Sequence, residues 1–144
     1  MAYHTFASIL HYVFSTKNRE PLIAPEMESR LWAYMGGIAR TNEIKPLAIG
    51  GMPDHVHVLL SLHPSVAVDK AVQLIKSGSS KWMHDQGHGY FAWQTGYGAF
   101  SIGMSQMNAT VRYIANQKKH HAKKSFAEEW KIFLDRHGLQ EYAD

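Results

Sequence analysis

The segment Gly50–Leu62, GGMPDHVHVLLSL, constrains the fold more than any other part of the chain. Two glycines, a proline and an aspartate close together make a turn. Alternation follows. Val56, Val58, Leu60 and Leu62 share one face of a strand, while His55, His57, Leu59 and Ser61 share the other. The strand needs a core on its valine side, and it spends two imidazoles on the opposite side. A second strand, Lys45 to Gly50, leads into the same turn.

The flanking segments supply the remaining elements. Tyr3 to Ser15, YHTFASILHYVFS, is rich in aromatic and β-branched residues and predicts the first strand. After the loop TKNREPLIA, Pro25 suits a first helical turn. Met27, Leu31, Tyr34, Met35 and Ile38 then recur at helical spacing as far as Asn42. Asp69 is placed to cap a helix that carries Ala71, Val72, Leu74 and Ile75 and runs to Gln86. QTGYGAFSIG predicts a fourth strand, whose glycines mark a bulge or a close backbone approach. Met107, Val111, Ile114 and Ala115 predict a further helix. Ser125 and Glu128 have capping-box spacing ahead of the last one, and Gly138 lies just past its end.

The order β-α-β-β-α-β, followed by two helices, predicts an α+β fold: a ferredoxin-like (RRM-like) antiparallel sheet. Both early helices then cover the valine side of the third strand. Its histidines are expected on an open face, displayed rather than buried. No repeat or linker divides the 144 residues, so a single domain, 1–144, is expected.

Composition narrows the chemistry. Cysteine is absent, which removes a disulfide framework and any thiolate metal site, and suits a reducing cytoplasm. No long apolar run predicts a membrane span, and no signal peptide is evident, so a cytoplasmic protein is expected. The net charge of +3 is mild. However, NQKKHHAKK (Asn116–Lys124) gathers four lysines and two histidines without an acid, which suits either phosphates or a solvated helix end.

Ten histidines in 144 residues make one His-x-His pair an expected accident, so His55 and His57 need a partner elsewhere. Tyr113 and Gln117 are four apart and share a helical face. A phenol, with an ordinary pKa of about 10, is a poor nucleophile unless its anion or the transition state is stabilised. A divalent cation polarising a phosphoryl oxygen does this. Two imidazoles, an amide oxygen and substrate oxygens make a hard, open site for Mg²⁺ or Mn²⁺. Taken alone, Tyr113 has a plainer reading as an ordinary packing residue.

Five stretches occur in order: HYVFSTKNREPLI, GGMPDHVHVLLSL, SSKWM, WQTGYGAFSI and VRYIANQKKHH. Together they resemble the HUH single-tyrosine transposases of the insertion-sequence 200/605 type and their REP-associated relatives, over nearly the whole chain. The resemblance implies that His55 and His57 are metal ligands, with Gln117 as the third, and that Tyr113 is the nucleophile. It implies cleavage of single-stranded DNA with hairpin ends, leaving a 5′-phosphotyrosine and a free 3′-OH. A 3′-OH from another end then rejoins the strand, without a nucleotide cofactor. Mg²⁺ or Mn²⁺, a homodimer with composite active sites, and a minimal enzyme without an accessory domain are implied as well.

Arg112, Lys118, Lys119, Lys123 and Lys124 are expected to track the DNA backbone, with Lys76 and Lys81 as further candidates. Trp93, Tyr90 and Tyr97 are expected to pack rather than to stack on bases. His120 and His121 are further candidates for the active site, since His121 lies one turn beyond Gln117. A non-catalytic RRM-like binding module would carry an aromatic pair where the third strand has histidines. A domesticated nickase acting on chromosomal repeats would carry the same active-site residues as a mobile-element enzyme.

Overall fold

In the computed structural model, which describes residues 8–139, four strands form one antiparallel sheet in the order β2-β3-β1-β4. The strands are β1 (Ile9–Ser15), β2 (Lys45–Met52), β3 (His55–Ser61) and β4 (Gly98–Ile102). Helix α1 (Glu28–Thr41) follows β1, and α2 (Val68–Asp85) follows β3. This is the expected ferredoxin-like order. Three helices come after it rather than two: α3 (Met107–Ala115), α4 (Gln117–His121) and α5 (Phe126–Arg136). The expected first half of the first strand, Tyr3–Ala7, lies outside the described residues.

Several local expectations shift. Strand β2 runs on to Met52, so the turn shrinks to Pro53 and Asp54. The fourth strand begins only at Gly98, and Gln94–Tyr97 form the loop before it. The cap of α2 is Ala67, with no side-chain hydrogen bond. Asp69 instead sits in the first turn, where it accepts from the Gln73 side chain at 2.9 Å and still complements the helix dipole.

One side of the sheet carries Leu10, Tyr12 and Phe14 from β1 and Val56, Val58 and Leu60 from β3. They pack with Leu31, Met35, Ala71, Val72 and Ile75 of α1 and α2 in a buried core. Each buried aliphatic side chain there contributes about 1.5–3 kcal/mol.

The opposite side corrects the expectation of an open face. His55 and His57 are each 0% exposed. The physical reason is the apolar stripes of the last helices. Met107, Val111 and Ile114 of α3 pack with Ile9 and Leu59 in a second cluster. Phe126, Trp130 and Phe133 give α5 a similar stripe, and the uncovered sheet face is where these stripes find burial. Two strand glycines permit the close approach. A Cβ on Gly50 would lie 2.8 Å from the Ile114 carbonyl oxygen, and one on Gly98 would lie 2.5 Å from the Trp130 ring.

Candidate active site

Alternation along β3 sets His55 and His57 side by side on the covered face, ring centroids 5.3 Å apart. Each ring is held through its Nδ1. His55 Nδ1 donates to Asp54 Oδ1 at 2.8 Å. His57 Nδ1 lies 2.8 Å from His11 Nε2. β1 places Val13 opposite His57, so His11 comes two residues along on the same face. Both Nε2 atoms of the β3 pair then face the C-terminal helices.

Helix α3 seats Ile114 against the sheet, and the preceding Tyr113 stands edge-on to His57, ring centroids 5.6 Å apart. The single chain thus brings its own tyrosine to its own histidines. The helix breaks at Asn116 (φ −102°, ψ 22°), so Tyr113 and Gln117 are not on one continuous helix as their spacing predicts. The Asn116 N–H still reaches the Arg112 carbonyl at 3.0 Å, which keeps the bend tight. Gln117 is buried, with Oε1 3.1 Å from His55 Nε2. His121 puts its Nε2 3.1 Å from the same oxygen and donates from Nδ1 to the Lys124 carbonyl at 2.7 Å.

Glu129 is the residue that sequence reasoning missed. Phe126, Glu129 and Phe133 fall at i, i+3 and i+7 along α5, whose start is held by the expected Ser125–Glu128 capping box. Phe126 stacks on His55 at 4.2 Å and Phe133 meets His11 at 5.2 Å, so the carboxylate between them enters the site. Oε1 lies 3.3 Å from His55 Nε2 and 3.0 Å from His57 Nε2. Oε2 lies 3.3 Å from both His120 Nε2 and His121 Nε2, and it accepts the Tyr113 hydroxyl. An acid on an apolar stripe is the sequence signal for Glu129. His11 had one too, as an imidazole on the same alternation as Ile9 and Val13. Asp54 reads in sequence only as a turn residue.

The electrostatics follow from this crowding. Burial would raise the Glu129 carboxyl, but hydrogen bonds from His55 and His57 and the charge of His57 outweigh it and hold it far below the usual carboxylate range. Burial would lower His55, yet its hydrogen bonds to Asp54 and Glu129 leave it raised. His57 is pulled down by burial against the opposing pull of Glu129. His11 is held down to about 3 by burial and then by His57. Burial, and then the hydrogen bond to Glu129, raise the Tyr113 phenol, so it is protonated at rest.

The donor set suits a divalent ion. His55, His57, His121 and Glu129 offer ligand atoms that all lie within 4.8 Å of one another. Because His55 and His121 donate from Nδ1, the Nε2 of each ring faces the oxygens of Gln117 and Glu129, and loss of an Nε2 proton leaves a lone pair directed at them. A cation placed between them would take the place of those protons and be coordinated by the nitrogens and oxygens together.

The basic residues divide. Lys119, Lys123 and Lys124 line, with Tyr113, Asn116 and His120, an open cleft of about 380 Å³. Arg112 is exposed on α3. Lys118 pairs with Glu28 at 2.5 Å and ties α4 to α1. Lys76 folds onto the loop before β4, donating to the carbonyls of Gln94 and Gly96 at 2.8 Å each. Trp93 packs on Phe14 at 4.8 Å and donates to Ser79 Oγ at 3.0 Å, as a packing residue does. Tyr97 donates to Asp69, and Tyr90 is exposed. Among the described residues, no helix is long and apolar enough to cross a membrane.

This chain is similar to known proteins over the same elements. The ISDra2 transposase TnpA of Deinococcus radiodurans is 32% identical over 73 residues, covering 51% of this chain and 52% of that protein. The match thus spans about half the length of that relative. The crystal structure of a transposase candidate from Deinococcus radiodurans R1 shares the fold with a TM-score of 0.65 at 23% identity, covering 81% of this chain and 95% of that one. A REP-associated tyrosine transposase, solved bound to a REP hairpin, gives a TM-score of 0.62 at 17% identity, covering 84% and 74%. The family description "Transposase IS200 like" matches residues 4–117, from the first strand through His55, His57 and Tyr113 to Gln117, and the chain belongs to that family.

Proposed function

We propose that the chain is a metal-dependent transposase of single-stranded DNA that cuts and rejoins strands through a 5′-phosphotyrosine at Tyr113. The observation that carries this reading is the Tyr113 hydroxyl at the buried histidine pair, sharing the Glu129 carboxylate with His55 and His57. His55, His57 and Gln117 hold Mg²⁺ or Mn²⁺. The bound ion supplies Lewis-acid polarisation of a phosphate oxygen. Asp54 and His11 keep the two strand imidazoles oriented, and the α5 aromatics exclude water from the site. The Tyr113 oxygen bonds to phosphorus as the P–O3′ bond breaks, and the phenol proton ends on the released 3′-OH. The covalent link preserves a transferable phosphodiester, so no nucleotide cofactor is needed.

The cleft of Lys119, Lys123 and Lys124 beside Tyr113 supports a path for the DNA backbone, extended by Arg112. Lys118, tied to Glu28, joins that path only by giving up its partner. The relative solved on a REP hairpin supports hairpin-ended DNA as the substrate. β4 is an edge strand open to pairing with a second copy, and in the proposed homodimer the tyrosine helices leave the placement they have in the single chain and exchange to form composite sites.

The test is incubation of hairpin-ended single strands with Mn²⁺ or Mg²⁺, followed by a denaturing gel for a protein–DNA adduct. The unaltered chain forms the adduct, and Tyr113→Phe binds the hairpin without forming one. An adduct that persists in Tyr113→Phe refutes the assignment.

A further inference from the structure

Two more donors reach the site beyond the strand histidines and Gln117, and both come from helices that follow the tyrosine. We propose that His121 and Glu129 are also ion ligands. The resting chain then holds a divalent transition-metal ion in an all-protein shell of three imidazole nitrogens, one carboxylate and one amide oxygen. This inference rests on the metal-dependent reading above and specifies its ion site.

The spacing of the donors is the first argument. An ion with bonds of about 2.1 Å separates neighbouring ligand atoms by about 3.0 Å in an octahedron and about 3.4 Å in a tetrahedron. Gln117 Oε1 lies 3.1 Å from both His55 Nε2 and His121 Nε2. Glu129 Oε1 lies 3.3 Å and 3.0 Å from the two strand imidazoles, and Oε2 lies 3.3 Å from His121. All five separations are those of atoms sharing one ion.

The second argument is the outer support. Lys124 O accepts from His121 Nδ1, and Asp54 accepts from His55 Nδ1, which aims both Nε2 atoms inward as the ligand atoms. Metal-bound histidines are held in this way. The third is burial. Glu129 is 1% exposed and Gln117 2%, so the carboxylate has traded water for the side chains of this site, the Tyr113 hydroxyl and the Gln117 amide included. A shell rich in imidazole favours Mn²⁺, Co²⁺ or Zn²⁺ over Mg²⁺, which prefers oxygen and keeps its waters. His121 and Glu129 both lie beyond the matched family span, 4–117.

The full chain, free of DNA, is titrated with Mn²⁺ and with Mg²⁺ by calorimetry. Mn²⁺ binds about a hundredfold or more tighter than Mg²⁺. Glu129→Gln and His121→Ala each weaken Mn²⁺ about tenfold or more. Pulsed EPR of Mn²⁺ on the unaltered chain counts three coordinated imidazoles, which needs no variant to fold. A count of two overturns the assignment. So does a Glu129→Gln chain that holds Mn²⁺ as tightly as its parent, which would leave the carboxylate as a latch on Tyr113. His57→Ala separates the two levels: if it too keeps the parental Mn²⁺ affinity, the metal site of the proposed function fails as well.

Discussion

Gly50→Ala tests how the tyrosine is seated. The added methyl would lie 2.8 Å from the Ile114 carbonyl oxygen and 3.2 Å from Ile114 Cγ2. Favourable contact begins near about 3.5 Å, so α3 must retreat from β2 by roughly 0.5 Å. Ile114 is 2% exposed and packs with Ile9 and Leu59, so retreat opens the smaller of the two buried clusters. Overpacking of this kind costs about 1–3 kcal/mol. Replacing glycine within a strand returns about 0.5–1 kcal/mol of backbone entropy. The net loss lies between about 0 and 2.5 kcal/mol, which for 144 residues lowers the melting temperature by up to roughly 10 °C.

A functional loss should accompany the stability loss. Tyr113 precedes Ile114 on the same turn, so the displacement moves its hydroxyl relative to His57 and Glu129. A misplacement of about 1 Å costs on the order of a hundredfold in rate, so a shift of roughly half that should cost on the order of tenfold. Thermal melts and single-turnover nicking of hairpin-ended strands measure the two effects. Gly37→Ala is the control. Nothing lies within 4 Å of a Cβ there, and alanine within α1 should stabilise by about 1 kcal/mol without touching the site. If Gly50→Ala melts and nicks like the parent, α3 is not seated on β2 through this glycine, and the reasoning is wrong.

Three further outcomes follow from the same geometry. Gly98→Ala drives a methyl to 2.5 Å from the Trp130 ring and should undock α5, with amide exchange in Phe126–Arg136 rising before the rest of the chain unfolds; unchanged protection would refute the docking. In the presence of chelator, stability should fall as pH drops below the ordinary histidine value of 6.5, because His11 is held down to about 3 when folded but takes up its proton when unfolded. The slope from His11 approaches about 1.4 kcal/mol per pH unit, and urea midpoints between pH 6.5 and 5 should lose that share in His11→Asn, whereas an unaltered slope would place the titration elsewhere. Mixtures of Tyr113→Phe and His57→Ala chains should recover up to about a quarter of normal nicking if tyrosines exchange between subunits, with the adduct only on the His57→Ala chain; no recovery despite proven subunit exchange would mean that each chain uses its own tyrosine.

Under the proposed function, sharing one carboxylate among His55, His57 and the Tyr113 hydroxyl couples the proposed metal site to the proposed nucleophile. Burial, and then Glu129, raise the Tyr113 phenol, and the same carboxylate occupies space beside the histidines that a phosphate oxygen would use. Movement of α5 would therefore free the nucleophile and open the site together.

What the sequence determined alone was local and periodic. Period-two alternation in HVHVLLSL placed His55 and His57 on one face, and the chain order of strands and helices identified the ferredoxin-like sheet. Ser125 and Glu128 announced the start of α5 because a capping box lies within four residues. The ordered motifs pointed to the family that the match over residues 4–117 establishes. Tertiary structure alone decided what covers the histidines. Helical spacing shows that α5 has an apolar stripe, but not which surface buries it, so Glu129 at i+3 from Phe126 could equally have faced solvent. His11 and His57 are 46 residues apart, and their contact at 2.8 Å exists only through the β1–β3 register. A site built from five separate elements has no period of its own, because its distances are set by packing across the fold rather than along the chain.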